Sequence, residues 1–273
     1  MNNDHSLPPQ QGIADKTVSS AAQEEGQGAG GKNKKQRRLS VTLGLWIIKR
    51  IERALIKYSR VPDTPFLAPD EFPWVAALEA EWQPIRAELE QLLEAPERIP
   101  NFQDISRDQI NLSKDDKWKS YFLYGYGYKM ENNCRACPET TRIIESIPGM
   151  FTAFFSVLAP GKHIPIHRGP YRGLLRCHLA LLVPEPREDC WIEVGGTTAT
   201  WKEGRCIVFD DTYPHRVENN TDARRVVLFL DIKRPLNLPG ALLNRMVLFL
   251  IRLSPYIQDA RRNQVAWEKR MGD

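Results

Sequence analysis

The chain of 273 residues contains no run of eighteen apolar side chains, the length a helix needs to cross the hydrocarbon of a bilayer, so no ordinary transmembrane helix is expected. Its apolar runs, LGLWII beginning at Leu43 and MVLFLI beginning at Met246, stop well short of that. Cysteine is sparse and odd in number. Cys134, Cys137, Cys177, Cys190 and Cys206 cannot all pair with one another, which argues against a disulfide scaffold and for a reducing compartment. Cys134 and Cys137 form one CxxC with no second pair to close a zinc site, so both read as structural. Residues 1–31 have almost no large apolar side chain to bury. Such a segment cannot offset the entropy of ordering, and without an apolar core it does not read as a signal peptide.

From Lys32 to Arg60 the missing component is acid. Ten Lys and Arg stand against Glu52 alone, a local balance of +9 in a chain of net charge +4, so the remainder carries −5. Leu43, Ile47, Ile51, Ala54 and Ile56 interleave there with Lys49, Arg50, Arg53 and Lys57, the pattern of an amphipathic helix. Two readings follow: a helix lying in an anionic membrane surface, or a helix docked on the chain's own catalytic domain with a solvated basic face. No recognised nucleic-acid motif accompanies the basic run, so specific nucleic-acid binding is not expected. The organisation expected is a disordered tail over 1–38, an amphipathic interfacial helix over 39–60, a linker over 61–71 with Pro62 and Pro65, a folded domain over 72–236, and an apolar and basic helical segment over 237–273. Arg245 and Arg252 bracket the apolar part of that last segment, which reads either as a second interfacial helix or as a terminal helix covering the sheet.

Within the domain, FPWVAALEAEWQPIRAELEQLLE is a helical pattern whose stripe of Trp74, Leu78, Trp82, Ile85, Leu89 and Leu92 packs on a sheet, bent or restarted at Pro84. KWKSYFLYGYGYKM reads as an aromatic strand whose alternation sets Tyr124, Tyr126 and Tyr128 on one face. CWIEVGGTTATW is a hairpin, because Gly195 and Gly196 suit the positive φ of a two-residue turn. Short strands and turns across residues 151–232 point to an all-β, jelly-roll core.

Histidine is scarce too, and four of the five, His163, His167, His178 and His215, lie in one stretch. In the strand LLRCHLALLV, period two puts Arg176 and His178 on one face and Leu175, Cys177, Leu179, Leu181 and Val183 on the other. A buried face that carries a cation and an imidazole suits a pocket for an anion. Imidazoles brought together from separate strands suggest a metal.

The order of these residues, His167, then Arg176, His178, His215 and Arg225, resembles the dioxygenase domain of the aspartyl/asparaginyl β-hydroxylase family, which includes bacterial hydroxylases of lipid acyl chains of the lipid A or ornithine-lipid type. The words SVLAPGKHIPIHRGPYRGLLRCHLALLVP, WKEGRCIVFDDTYPHRVENN and RRVVLFLDIKRPL carry the resemblance, which runs from about Phe72 to Leu236. It implies a double-stranded β-helix, jelly-roll or cupin-like, with flanking α-helices. It also implies Fe(II), 2-oxoglutarate and O2, and no haem. His167 and His215 would bind iron. Arg176 and His178 would meet the metal-proximal end of 2-oxoglutarate, and Arg225 with Ser156 would hold its distal carboxylate. One departure stands out: a carboxylate ligand two residues after the first histidine is common in such sites, but this chain has Gly169 there, in HRGP. Asp210 and Asp211 read as a strand end and turn. The function expected is hydroxylation of an unactivated C–H bond, on an acyl chain of a membrane lipid or on an Asp/Asn side chain of a protein or peptide; the other class is a non-catalytic jelly-roll binding module at the membrane. A cytoplasmic protein held peripherally at the inner face of the membrane is expected.

Overall fold

The computed structural model describes residues 48–271. The tail over 1–38, and residues 39–47 of the interfacial helix expected over 39–60, lie outside the described residues; residues 49–57 are helical (α1) and belong with the compact unit Lys49–Asp273. In chain order come β1 (Phe66–Leu67), α2 (Pro73–Ala80), α3 (Trp82–Leu92), α4 (Phe102–Ile105), β2 (Trp118–Gly125), β3 (Tyr128–Lys129), α5 (Glu131–Ala136), α6 (Pro138–Glu145), β4 (Met150–Leu158), β5 (Lys162–His167), β6 (Leu174–Leu182), β7 (Cys190–Val194), β8 (Thr197–Thr200), β9 (Cys206–Phe209), β10 (His215–Asn219), β11 (Arg225–Lys233), α7 (Leu238–Leu253) and α8 (Pro255–Met271).

The strands form a seven-stranded sheet, β1-β9-β6-β11-β4-β2-β3, and a four-stranded sheet, β5-β10-β7-β8. From β4 onward the chain keeps changing sheet: β4, β6, β9 and β11 lie in the large one and β5, β7, β8 and β10 in the small one. That alternation is the double-stranded β-helix, a jelly roll, as expected.

Period two divides the large sheet. Leu175, Cys177, Leu179 and Leu181 of β6 and Val226, Leu228, Leu230 and Ile232 of β11 point outward into a core completed by Val75, Leu78, Ile85, Leu89, Ile143 and Ile144. Each such Leu or Ile, fully buried, contributes about 1.5–3 kcal/mol. The helical stripe packs on the sheet as its spacing predicts, but the break falls at Glu81, before Trp82, and Pro84 sits in the first turn of α3, where a missing N–H is harmless. All five cysteines are buried free thiols, Cys134, Cys137, Cys177 and Cys206 in this core and Cys190 between the two sheets.

Phe154, Phe209, Val227, Phe229, Ile164, Ile192, Val217 and Trp201 fill the space between the two sheets. Gly195 and Gly196 make the β7–β8 turn with φ of 57° and 83°. The aromatic strand departs from simple alternation. A register shift between Phe122 and Tyr124, and a turn with Tyr126 and Gly127 at positive φ, send Tyr124, Tyr126 and Tyr128 to three different clusters.

At the ends of the chain, Leu55 of α1 is fully buried, with Ile51 beside it, against Phe151, Tyr171 and Leu248. That half of α1 is therefore docked on the domain.

Candidate active site

His167 closes β5 and His215 opens β10, and the antiparallel register sets the two directly opposite each other. Their ring centroids lie 4.0 Å apart. Each ring is oriented by the backbone two residues before it: His167 Nδ1 donates to the Pro165 carbonyl at 2.8 Å and His215 Nδ1 to the Tyr213 carbonyl at 2.9 Å. A donating Nδ1–H leaves the lone pair on Nε2, the tautomer a metal ligand requires. Burial, helped by each ring's cationic or imidazole neighbours, drops His167 to about 3 and His215 to about 4, so both are neutral at physiological pH. Among the described residues no third His, Cys, Asp or Glu completes a ready-made metal cluster with them.

Gly169 is explained by its surroundings. A Cβ built on it would overlap the carboxylate of Asp211, and the Gly169 N–H donates to the Asp211 carbonyl at 2.7 Å. The carboxylate missing from position 169 is thus matched by one that arrives from the turn after β9 and fills the same space. The two neighbouring aspartates divide their work: Asp210 binds Arg234 and accepts from the Thr212 N–H at 3.0 Å, while Asp211 meets Arg176 Nη2 at 2.8 Å.

Arg176 does not face a vacant anion pocket. Its Nε meets Asp231 at 3.0 Å, its other arm holds Asp211, and its guanidinium carbon stands 4.2 Å over the Phe229 ring. Asp231 is its direct cross-strand partner on β11. Arg176, expected to contact a diacid, holds two buried carboxylates, one of them the Asp211 that packs on Gly169 beside His167.

The other inner-face residues are arranged differently. His178 is buried between Phe209, 5.0 Å away, and Phe229, 5.1 Å away, with no partner for either ring nitrogen among the described residues. Arg225 is 1% exposed, stands 4.5 Å over the ring of Trp201, and has no partner for Nε or Nη1 among the described residues. Burial lowers its pKa to about 10, opposed among the described residues by a hydrogen bond to the Cys190 thiol. A buried guanidinium without a counter-ion costs several kcal/mol, and each unsatisfied buried donor about 1–3 kcal/mol. Trp201, also fully buried, adds an unpartnered Nε1–H, and so does the Ser120 hydroxyl. Ser156 lies on the same face, opposite Ser120 on β2 and Val227 on β11, and accepts from Trp118 Nε1 at 3.1 Å. Two imidazole lone pairs at one end of the intersheet space, and orphaned N–H donors around a fixed cation deeper in it, fit a metal ion and a carboxylate ligand.

The sequence reading missed Trp201, whose only signal was its place after the β7–β8 hairpin, and Asp231, which shares the parity of Arg225 on β11. His163 lies apart from the pair, exposed and 2.6 Å from Glu218.

Residues 79–235 match the family model for aspartyl/asparaginyl beta-hydroxylase. The chain is 43% identical over 224 residues to the ornithine lipid ester-linked acyl 2-hydroxylase of Rhizobium tropici, covering 82% of this chain and 80% of that one. It is 28% identical over 194 residues to the human aspartyl/asparaginyl beta-hydroxylase, covering 67% of this chain and 24% of that one. Among solved structures, a cupin domain of a transcriptional regulator from Enterobacter cloacae covers 42% of this chain and 96% of its own at 14% identity, with a TM-score of 0.30.

Proposed function

Since this chain belongs to the aspartyl/asparaginyl β-hydroxylase family, we propose that it is an Fe(II)- and 2-oxoglutarate-dependent hydroxylase acting on an acyl chain of a membrane lipid. The observation that carries the co-substrate reading is Arg225, a buried fork with two N–H groups unmatched by any described residue. Such a fork suits the distal carboxylate of a diacid, which Trp201 Nε1–H can also reach as a neutral donor. His167 and His215 would hold the iron through Nε2, and His178 would meet the metal-proximal end of the diacid. Bound there, iron would activate O2 and 2-oxoglutarate would supply two of the electrons that reduce it, so that one oxygen atom ends in succinate and the other in the new hydroxyl, with release of CO2.

The protein's share is placement. Pro165 and Tyr213 carbonyls fix the two imidazole tautomers, Arg176 holds Asp211 and Asp231 in position, and Phe209, Phe229 and Trp201 keep water from the buried end.

The lipid reading rests on the 43% identity shared with the Rhizobium enzyme across four-fifths of its length. Hydroxylation of Asp or Asn in a polypeptide is the second reading, favoured by the match to the human enzyme, of which this chain spans about a quarter. The test is succinate release by the purified full chain with Fe(II), 2-oxoglutarate and O2, with and without vesicles of extracted bacterial lipid or an Asp/Asn-containing peptide. Lipid-stimulated succinate together with a lipid product 16 mass units heavier supports the proposal. Stimulation by peptide alone would transfer the activity to polypeptides, and no succinate under any condition would leave a binding module.

A further inference from the structure

Helix α7 is apolar on the side that faces away from the protein. Leu238, Leu242, Met246, Phe249, Leu250 and Leu253 are each 54–74% exposed. At 100° per residue these six side chains fall within an arc of about 120°, so they make one continuous stripe about 24 Å long. The opposite side, with Gly240, Asn244 and Leu248, is buried on the domain. A soluble helix normally presents polar residues where this one presents leucine and phenylalanine, and a contiguous patch of this kind marks an interaction surface.

Charge identifies what the surface fits. α7 carries no acid at all. Arg245, exposed, and Arg252 border the stripe on one side, with Arg252 stacked 4.0 Å over Tyr128 and Arg261 of α8 4.5 Å over the same ring. On the other side α1 packs through Leu55 and Ile51 into the cluster that holds Leu243, Val247 and Ile251, leaving Lys49, Arg53 and Lys57 exposed. A second copy of the chain offered to this face would bring cations against cations. No single helix among the described residues is long and apolar enough to cross a membrane, and α7 passes that test only jointly with α8 across a 56° bend.

We propose that the outer face of α7, flanked by these cations, is the surface by which the protein lies partly immersed in an anionic lipid bilayer. The geometry suits an interfacial helix, with acyl tails taking the stripe and phosphates meeting the arginines and lysines at its borders. It also ties the bilayer to the site. The buried side of α7 holds the chain just after His167: Tyr171 donates its hydroxyl to Asn244 at 2.8 Å, and Asn244 Nδ2 donates to the Gly173 carbonyl at 2.8 Å. The inference deepens the lipid reading and rests on it for its purpose, but binding to vesicles is measured without turnover, so the two can fail separately.

The test uses the full chain with vesicles of phosphatidylcholine and phosphatidylglycerol at four to one, against phosphatidylcholine alone. Wild type is expected to sediment with the anionic vesicles, and less so in high salt. The double variant Leu242→Glu/Phe249→Glu should partition at least about tenfold more weakly with an unchanged melting curve, since both side chains are already in water. As a second readout, Met246→Cys labelled with an environment-sensitive nitrobenzoxadiazole should shift its emission to the blue on anionic vesicles; the five native thiols are buried. Equal partitioning of wild type and the double variant, or a label that stays in water, overturns the proposal. So does a wild-type dimer that the double variant dissolves, because the face then belongs to a second copy. Anionic-vesicle binding by a protein that releases no succinate would uphold this surface while removing the hydroxylase reading.

Discussion

The two faces of the large sheet are made by the same strands and obey different rules. On the outer face of β6 and β11, Leu175, Cys177, Leu179, Leu181, Val226, Leu228, Leu230 and Ile232 meet helices and leave no polar group behind. One residue along each strand, the inner face carries Arg176, His178, Arg225 and Asp231, all but Arg176 nearly sealed from water. Burial alone explains the first face. It penalises the second, where Arg225, His178 and Trp201 keep donors or ring nitrogens without partners. Inner-face polarity also has two kinds. Arg176 is ion-paired inside the protein with Asp211 and Asp231, whereas Arg225 meets no carboxylate among the described residues and only the Cys190 thiol. The difference separates a residue that builds the site from one that waits for a ligand.

The comparison breaks most severely at the histidine pair. His167→Ala and His215→Ala should each abolish turnover and weaken Fe(II) binding at least about tenfold, read by metal titration, because a site with two protein ligands cannot lose one. Equal iron affinity in wild type and both variants would remove the metal assignment. Next in size, Leu179→Ala on the outer face should cost about 2–5 kcal/mol of stability in denaturant unfolding, while the folded fraction keeps its KM for 2-oxoglutarate. A changed KM would mean the two faces are not independent.

Much of this division was legible in the sequence. Period two in LLRCHLALLV put Arg176 and His178 opposite the leucines, and the resemblance to the β-hydroxylase family implied that His167, His215 and Arg225 join them. What pairs with what was not legible. Arg176 and Arg225 look alike as arginines in apolar strands, and only the register that puts Asp231 across from Arg176 tells them apart. Gly169 read as a missing carboxylate, because nothing local shows that Asp211, forty-two residues later, fills the same volume. The tyrosines of the aromatic strand were misplaced for a similar reason: a bulge and a turn reset the parity that alternation assumes. The terminal helices allowed two readings, and α7 is docked on one side and apolar to solvent on the other.

Gly169→Asp sharpens the point about volume. If position 169 were simply vacant, an aspartate there would strengthen the metal site; with Asp211 in that space, the substitution should instead cost about 1–3 kcal/mol and reduce iron binding, seen as a lower melting temperature and a weaker titration. The smallest effect is expected at Trp201→Phe, which keeps the ring under Arg225 but deletes the N–H. One neutral hydrogen bond is worth about 0.5–1.5 kcal/mol, so KM for 2-oxoglutarate should rise roughly two- to twelvefold in steady-state assays with kcat nearly unchanged. An unaltered KM would leave that N–H outside the site.

The central claim is that Arg225 is a buried cation completed by a carboxylate ligand, and the most direct measurement is thermal unfolding of wild type and Arg225→Met, without and with Fe(II) and 2-oxoglutarate under anaerobic conditions. Without ligand the variant should be at least as stable as wild type, since it removes an uncompensated charge and keeps most of the volume. With ligand, wild type should gain several degrees and the variant little. A variant that is destabilised alone and gains as much as wild type from 2-oxoglutarate would show that Arg225 is structural and contradict the account.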